Sequence, residues 1–146
     1  VSDVPYARLV YDHNAAVCKY VATFFPEVTV PWAPDCIGLG LMLNDELKGG
    51  VVIEMNTVFD ANVTFVFENP RVCNRRLLRE FMRHCFVALN LKRLTFEVLP
   101  KNKASRRFIE ALGGKLEGKK RKGYDGHRNV LIYGLLPEEA TFYEDA

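Results

Sequence analysis

The chain has little of what usually announces a chemistry. Its four cysteines, Cys18, Cys36, Cys73 and Cys85, are scattered without a C-x-x-C spacing, and the three histidines form no matching cluster. Neither a zinc site nor a disulfide framework is implied, and reduced thiols are expected. The longest apolar runs, such as residues 36–43, are far too short to span a bilayer. A basic start followed by an apolar core is missing from the first residues, so neither export nor a membrane partner is expected, and the cytoplasm is the expected compartment. No repeat or low-complexity tract interrupts the sequence. What is there is 146 residues of 49% hydrophobic content, which fits one domain over 1–146 with a core of its own.

A net charge of +2 conceals an uneven distribution. Residues 71–128 hold 17 of the 20 Lys and Arg but only 5 of the 18 acids, so that stretch carries +12 and the remainder −10. A field of this kind concentrates and steers an anionic partner, either a phosphorylated cofactor or a nucleic acid.

Apolar spacing then lays out the elements. A strand is expected over Tyr6–Tyr11, with Asp12 as cap of a helix that carries Ala16, Val17, Tyr20, Val21, Phe24 and Phe25 at helical spacing up to Pro26. Pro26, Pro31 and Pro34 mark a loop around Trp32 that can shape a pocket. Residues 36–43 and 47–55 read as a hairpin turning at Asn44-Asp45-Glu46, with a bulge at Gly49-Gly50, and residues 62–68 as a further strand. Leu77, Leu78, Phe81, Met82, Cys85, Phe86 and Leu89 predict a helix over residues 75–90. A strand over 92–99, a helix over 103–112 stopped by Gly113, and two strands from Leu116 and over 129–136 complete the order.

Residues 100–118 read Pro-Lys-Asn-Lys-Ala-Ser-Arg-Arg-Phe-Ile-Glu-Ala-Leu-Gly-Gly-Lys-Leu-Glu-Gly. This resembles the "Asn, two residues, Ser-Arg-Arg, apolar pair, two residues, Leu-Gly, then Glu-Gly" signature of the ribosomal-protein N-acetyltransferase branch of the GNAT superfamily. Arg71-Val72-Cys73-Asn74-Arg75-Arg76, the Asp12-His13 helix start and the acidic, aromatic C-terminal end are also similar to GNAT proteins of phages and prophages, which would place the chain in a host cytoplasm. The resemblance covers nearly the whole chain. It implies an α/β (α+β) fold: a mixed, mostly antiparallel central sheet with a splay between two parallel strands, flanked by helices. It implies an N-acetyltransferase that moves acetyl from acetyl-CoA to a primary amine, on a protein or a small molecule, by direct attack in a ternary complex. Two other readings accompany it: a phage-type nucleic-acid base-modifying or nucleic-acid-binding protein on the same scaffold, and a CoA-binding GNAT without turnover.

By that resemblance, pantetheine adds like a strand beside Phe65-Val66-Phe67, where a backbone amide faces the thioester oxygen. Asn102 bonds the pantetheine amide, and Ser105 and Arg106 lie near its phosphate end. The pyrophosphate seat is the helix start at 71–76, where most of the superfamily has small residues. Here Asn74 and Arg76 stand in those places, and Arg71, Arg75 and Arg76 are expected to grip phosphate through guanidinium forks. The attacking amine must lose a proton, and Glu54 and Glu68 are the leading bases, ahead of Asp60 and His13. The usual general acid, a Tyr seven residues after the Asn, is replaced by Ile109, leaving Ser105, water or Tyr124 to protonate the thiolate. No metal is implied.

Overall fold

Two tight turns set the first half of the sheet. β2 (Ile37–Leu43) and β3 (Glu46–Met55) meet at Asn44 and Asp45, whose φ values of 53° and 61° are the left-handed pair that a two-residue hairpin requires. β4 (Asp60–Phe67) then returns antiparallel, and the Thr57 hydroxyl of that turn accepts from the amides of Phe59 and Asp60, both at 3.1 Å. This computed structural model describes residues 7–27, 31–69 and 72–143, so the expected strand start at Tyr6 and the residue Arg71 lie outside the described residues. β1 (Arg8–Val10) pairs with β2 at the sheet's edge.

α1 (Asn14–Ala22) differs from expectation at both ends. Asp12 sits at φ 65°, one residue too early to cap; His13 takes the cap position without a side-chain bond, and Asn14 instead accepts from the Gly38 amide at 3.0 Å. The helix stops before Phe25 because the amides of Thr23, Phe24 and Phe25 turn to carbonyls three residues back. Close packing of α1 on the sheet depends on glycine: a Cβ on Gly50 would lie 2.8 Å from Val21 Cγ2. The expected bulge falls one residue early, at Lys48, since Leu41 pairs with Gly49 and Met42 with Leu47.

α2 (Arg75–Arg83) buries Leu77, Leu78, Phe81 and Met82. It does not run as one α-helix to Asn90. Residues His84–Ala88 form a π-helical turn, with the Leu89 amide donating to the His84 carbonyl at 2.9 Å, and Asn90 at φ 54° ends it. A one-residue widening barely alters an apolar stripe, so spacing does not reveal it. β5 (Arg93–Val98), α3 (Lys103–Ala111), β6 (Lys115–Lys120) and β7 (Val130–Leu135) follow.

The strand order is β1-β2-β3-β4-β5-β7-β6, with β4 and β5 the parallel pair. Val17, Cys18 and Val21 of α1 pack with Val52 on one face. The larger cluster on the other face includes Leu77, Phe81 and Met82 of α2 and Ile109 of α3. No helix among the described residues is long and apolar enough to cross a membrane.

β4 and β5 pair only through Asp60, Ala61 and Asn62 with Arg93, Leu94 and Thr95, and then separate. A polar knot fastens the point of separation. Asp60 Oδ1 accepts from Thr95 Oγ1 at 2.7 Å and from Arg93 Nε at 3.2 Å, while Arg93 forks onto Glu117 at 2.8 and 3.2 Å. Asp60, weighed as a base from the sequence, is thus held in a structural ion pair. Asp60→Ala strands the hydroxyl of buried Thr95, and we expect about 1–3 kcal/mol lower stability in urea unfolding; an unchanged midpoint would show that the knot is dispensable.

Candidate functional site

Beyond Asn62 and Thr95 the facing edges of β4 and β5 are open, and the direction of their backbone groups follows from the strand period. The Glu68 amide donates to the Lys48 carbonyl at 2.9 Å, and the Asp60 carbonyl accepts from Asn56, so even-numbered residues of β4 address β3. Phe65 and Phe67 alternate with them and turn their amides and carbonyls into the gap, joined by the Val63 carbonyl. Val66, expected among the gap residues, is turned the other way: it pairs with Gly50 and packs its side chain on the α1 cluster.

On the α2–α3 face the gap has an aromatic floor. Phe108 lies 5.0 Å from Phe65 and 5.2 Å from Phe67 between ring centroids, and Phe65 meets Phe96 edge-on at 6.2 Å. On the opposite face a cavity of about 500 Å³ opens at the point of separation. Asn62, Val63 and Thr64 of β4, Glu54 of β3 and Glu97 of β5 line its sheet side. Ala22, Phe25, Pro31 and Trp32 form one wall, and Gly123, Tyr124 and Val130 the other.

The two cavity carboxylates are not equivalent. Glu97 is paired with Lys120 Nζ at 2.9 Å. Glu54 is half-buried and accepts the Ala33 amide at 3.0 Å, and it forms no ion pair among the described residues. Glu68 is elsewhere, exposed past the end of β4, where it accepts the Tyr20 hydroxyl. His13 is exposed at the start of α1.

At the phosphate end, Asn74 caps α2: Oδ1 accepts the Leu77 amide at 2.9 Å and Nδ2 donates to the Ala7 carbonyl at 3.4 Å. Its side chain is engaged within the fold. Arg75 and Arg76 are exposed and make no ion pair among the described residues. Asn102 caps α3 through Oδ1, which accepts the Ser105 amide at 3.1 Å, and its NH2 remains as a donor. Half-buried Ser105 sits in the first turn of α3 and does not line the cavity. Arg106 is held through Nε to the Tyr133 hydroxyl and through Nη1 to the Pro100 carbonyl, both at 3.1 Å. Ile109 is buried in the core.

Sequence reasoning passed over Glu97, although a lone acid in the apolar strand 93–98 is a signal, and Phe25, which spacing assigned to a helix. Among the described residues no group of three His, Cys, Asp or Glu side chains could hold a metal.

A parallel pair that parts midway, between a helix on one face and two on the other, is decisive for the fold. The chain has the GNAT acetyltransferase fold. A solved protein assigned as an acetyltransferase is 27% identical over 73% of this chain and 62% of its own, with a TM-score of 0.61; the chain spans less than two thirds of that protein's length. RimJ of Mycobacterium smegmatis, solved with CoA-disulfide, is 18% identical over 92% of this chain and 86% of its own, with a TM-score of 0.65. A ribosomal-protein-S5-alanine acetyltransferase from Vibrio fischeri is 14% identical over 91% and 94%, with a TM-score of 0.66. No family model and no curated protein matches the chain.

The two cavity walls of this GNAT-type fold are latched together. The Tyr124 hydroxyl donates to Glu27 Oε1 at 2.6 Å, and Arg128, paired with Asp125 at 2.9 Å, lies 4.9 Å from the Tyr124 ring centroid. Burial first, and then the bond to Glu27, push the Tyr124 phenol up to about 12. A raised folded pKa means that the latch contributes stability in full below the ordinary tyrosine value of about 10 and loses it as pH rises toward 12. In ultraviolet titration the phenol absent from Tyr124→Phe should be one that ionises near 12, and Glu27→Gln should lower its midpoint; a missing phenol of ordinary pKa would mean that the latch does not form in solution.

Proposed function

We propose that this chain is an N-acetyltransferase that moves acetyl from acetyl-CoA to a primary amine by direct attack within a ternary complex. The observation that carries the reading is the gap between β4 and β5, with unmatched backbone groups along its edge and a cavity holding Glu54 at its apex. An extended pantetheine arm needs such an edge, because its two amides can complete a ladder that the protein leaves open. Alternate β4 residues supply the groups: Phe65 and Phe67 lie along the arm, and the amide nearest the apex that the ladder leaves free, that of Phe65, faces the acyl end. Asn102 donates its NH2 to the arm from the other side. Exposed Arg75 and Arg76, with Arg71, suit the diphosphate, in place of the close backbone approach that small residues would permit. Acetyl-CoA supplies the activated acetyl group.

The acceptor enters from the cavity. Glu54 has one backbone donor and no cation partner among the described residues, which leaves it able to take the proton of an incoming amine. Glu97 is neutralised by Lys120 and better suited to orient than to deprotonate. Glu68 lies about four residues along β4 from the Thr64 cavity wall, roughly 13 Å at strand rise, which argues against its role as base. Ser105 stands on the α3 side of the gap, where it can meet the arm but not the amine.

Calorimetry with acetyl-CoA and turnover with amine panels together test this. Asn102→Ala and Arg76→Ala should each weaken acetyl-CoA by about tenfold, the loss of one charge-assisted or amide bond. Glu54→Gln should keep cofactor affinity and lose about 10²–10⁴ in turnover. Unchanged affinity in both binding variants would remove the proposed cofactor site. Tight, salt-dependent DNA binding would favour the nucleic-acid reading, and cofactor binding without thiol release would favour a non-catalytic GNAT.

A further inference from the structure

One wall of the cavity is backed by two thiols. Cys18, on the buried face of α1, and Cys36, just ahead of β2, bring their sulfurs to 3.1 Å, one thiol donating to the other. No other cysteine pair among the described residues comes within hydrogen-bonding distance. The backbone around the pair leads directly to the cavity. Trp32 Nε1 donates to the Cys18 carbonyl at 2.9 Å, the Cys36 amide donates to the Ala33 carbonyl at 3.0 Å, and the Ala33 amide is the group that holds Glu54. A single turn, residues 33–36, thus joins one sulfur to the donor that fixes the cavity carboxylate.

We propose that Cys18 and Cys36 form a redox modification site, which a peroxide converts to an intramolecular disulfide that fastens the Trp32 wall and the Ala33 amide to α1. The two thiols differ in access. Cys36 is half-exposed, whereas Cys18 is buried and its thiol is pushed up to about 12, by burial first and then by the bond with Cys36. Cys36 is therefore the sulfur that meets the oxidant, and Cys18 the one that resolves it. In the first step the Cys36 thiol gives up its proton, its sulfur attacks one peroxide oxygen and the O–O bond breaks; a sulfenic acid forms, and the departing hydroxide takes up that proton as water. In the second, the Cys18 sulfur attacks the Cys36 sulfur, the S–O bond breaks, and a second water leaves as the S–S bond forms. The two thiols give up two protons and two electrons, and the peroxide is reduced to two waters.

The effect on turnover rests on the transferase reading; the chemistry of the sulfurs does not. Treating the full chain with hydrogen peroxide should lower the free thiols from four to two, with a mass loss of two hydrogens and a proteolytic peptide linking Cys18 to Cys36. Cys18→Ser should instead leave a sulfenic acid on Cys36 that a 1,3-dione probe captures. The chain's one tryptophan is in the affected wall, so Trp32 emission should shift on oxidation and return with dithiothreitol, whether or not the protein is an enzyme. Amine turnover should change by about tenfold, reversibly, with acetyl-CoA affinity unchanged. Four thiols persisting after oxidation, or a bridge through Cys73 or Cys85, would overturn the site. A Cys18–Cys36 bridge with unaltered Trp32 emission would overturn its coupling to the cavity. Failure of turnover in both redox states, with the bridge and emission change present, would count against the transferase reading alone.

Discussion

Everything functional in this molecule depends on a hydrogen-bond ladder that stops after three residue pairs. Unmatched backbone amides and carbonyls are expensive to bury, so a sheet normally either continues its pairing or exposes its edge to water. Here β4 and β5 are held together at Asp60–Asn62 and Arg93–Thr95 and then part. The Asp60–Arg93–Thr95 knot matters because it fixes the apex: if pairing slipped, the gap and the cavity would lose their common corner. Large rings from β4, β5 and α3 line the floor, and the larger opening is on the side where Glu54 lies. Backbone chemistry and acid chemistry are thereby directed to one point.

The charge asymmetry acquires a spatial meaning on this frame. Several cations of the +12 stretch are tied up, Arg93 with Asp60 and Glu117, Lys120 with Glu97, and Arg106 with Tyr133 and Pro100. Exposed Arg75 and Arg76 at the start of α2 are not among them. Carboxylates gather instead around the cavity: Glu54 and Glu97 in its lining, and Glu27 at the latch. On the proposed reading, an anionic donor and a cationic acceptor are each drawn to the side that suits their charge. This is a longer-range effect than any single ion pair and weakens with salt.

Much of this was legible in the sequence. Element order, the Asn44-Asp45 turn and the Gly113 stop follow from local chemistry that tertiary context did not override. Glu54 ranks first through the resemblance, by its place near the end of a central strand, and the fold puts it in the cavity lining. What was not legible depends on distances across the chain. Asn74 looks like a cofactor ligand in the motif but caps its own helix. Glu68 and Glu54 look alike as strand-end acids, and only the fold separates one into the cavity and the other onto Tyr20. The Glu27–Tyr124 latch joins residues 97 apart, and the Cys18–Cys36 contact has no spacing signature at all.

Ile109 leaves open how a departing thiolate is protonated, and the geometry narrows the answer. Ile109 is packed in the core and has no proton to give, and its neighbour Phe108, which does reach the gap, has none either. Tyr124 is the phenol in the cavity wall, but one held near 12 and already donating to Glu27 gives a proton to a thiolate of ordinary pKa, about 8.5, only uphill. It can steady a wall better than it can serve as an acid. Ser105 is weaker still as an acid and stands on the α3 side. The route that meets no such penalty is solvent at the open mouth of the gap, or release of the thiolate itself, whose basicity is low enough to leave without an acid from the protein. On the proposed reading, a site built in this way concentrates its catalytic effort on the amine, at Glu54, and not on the leaving group.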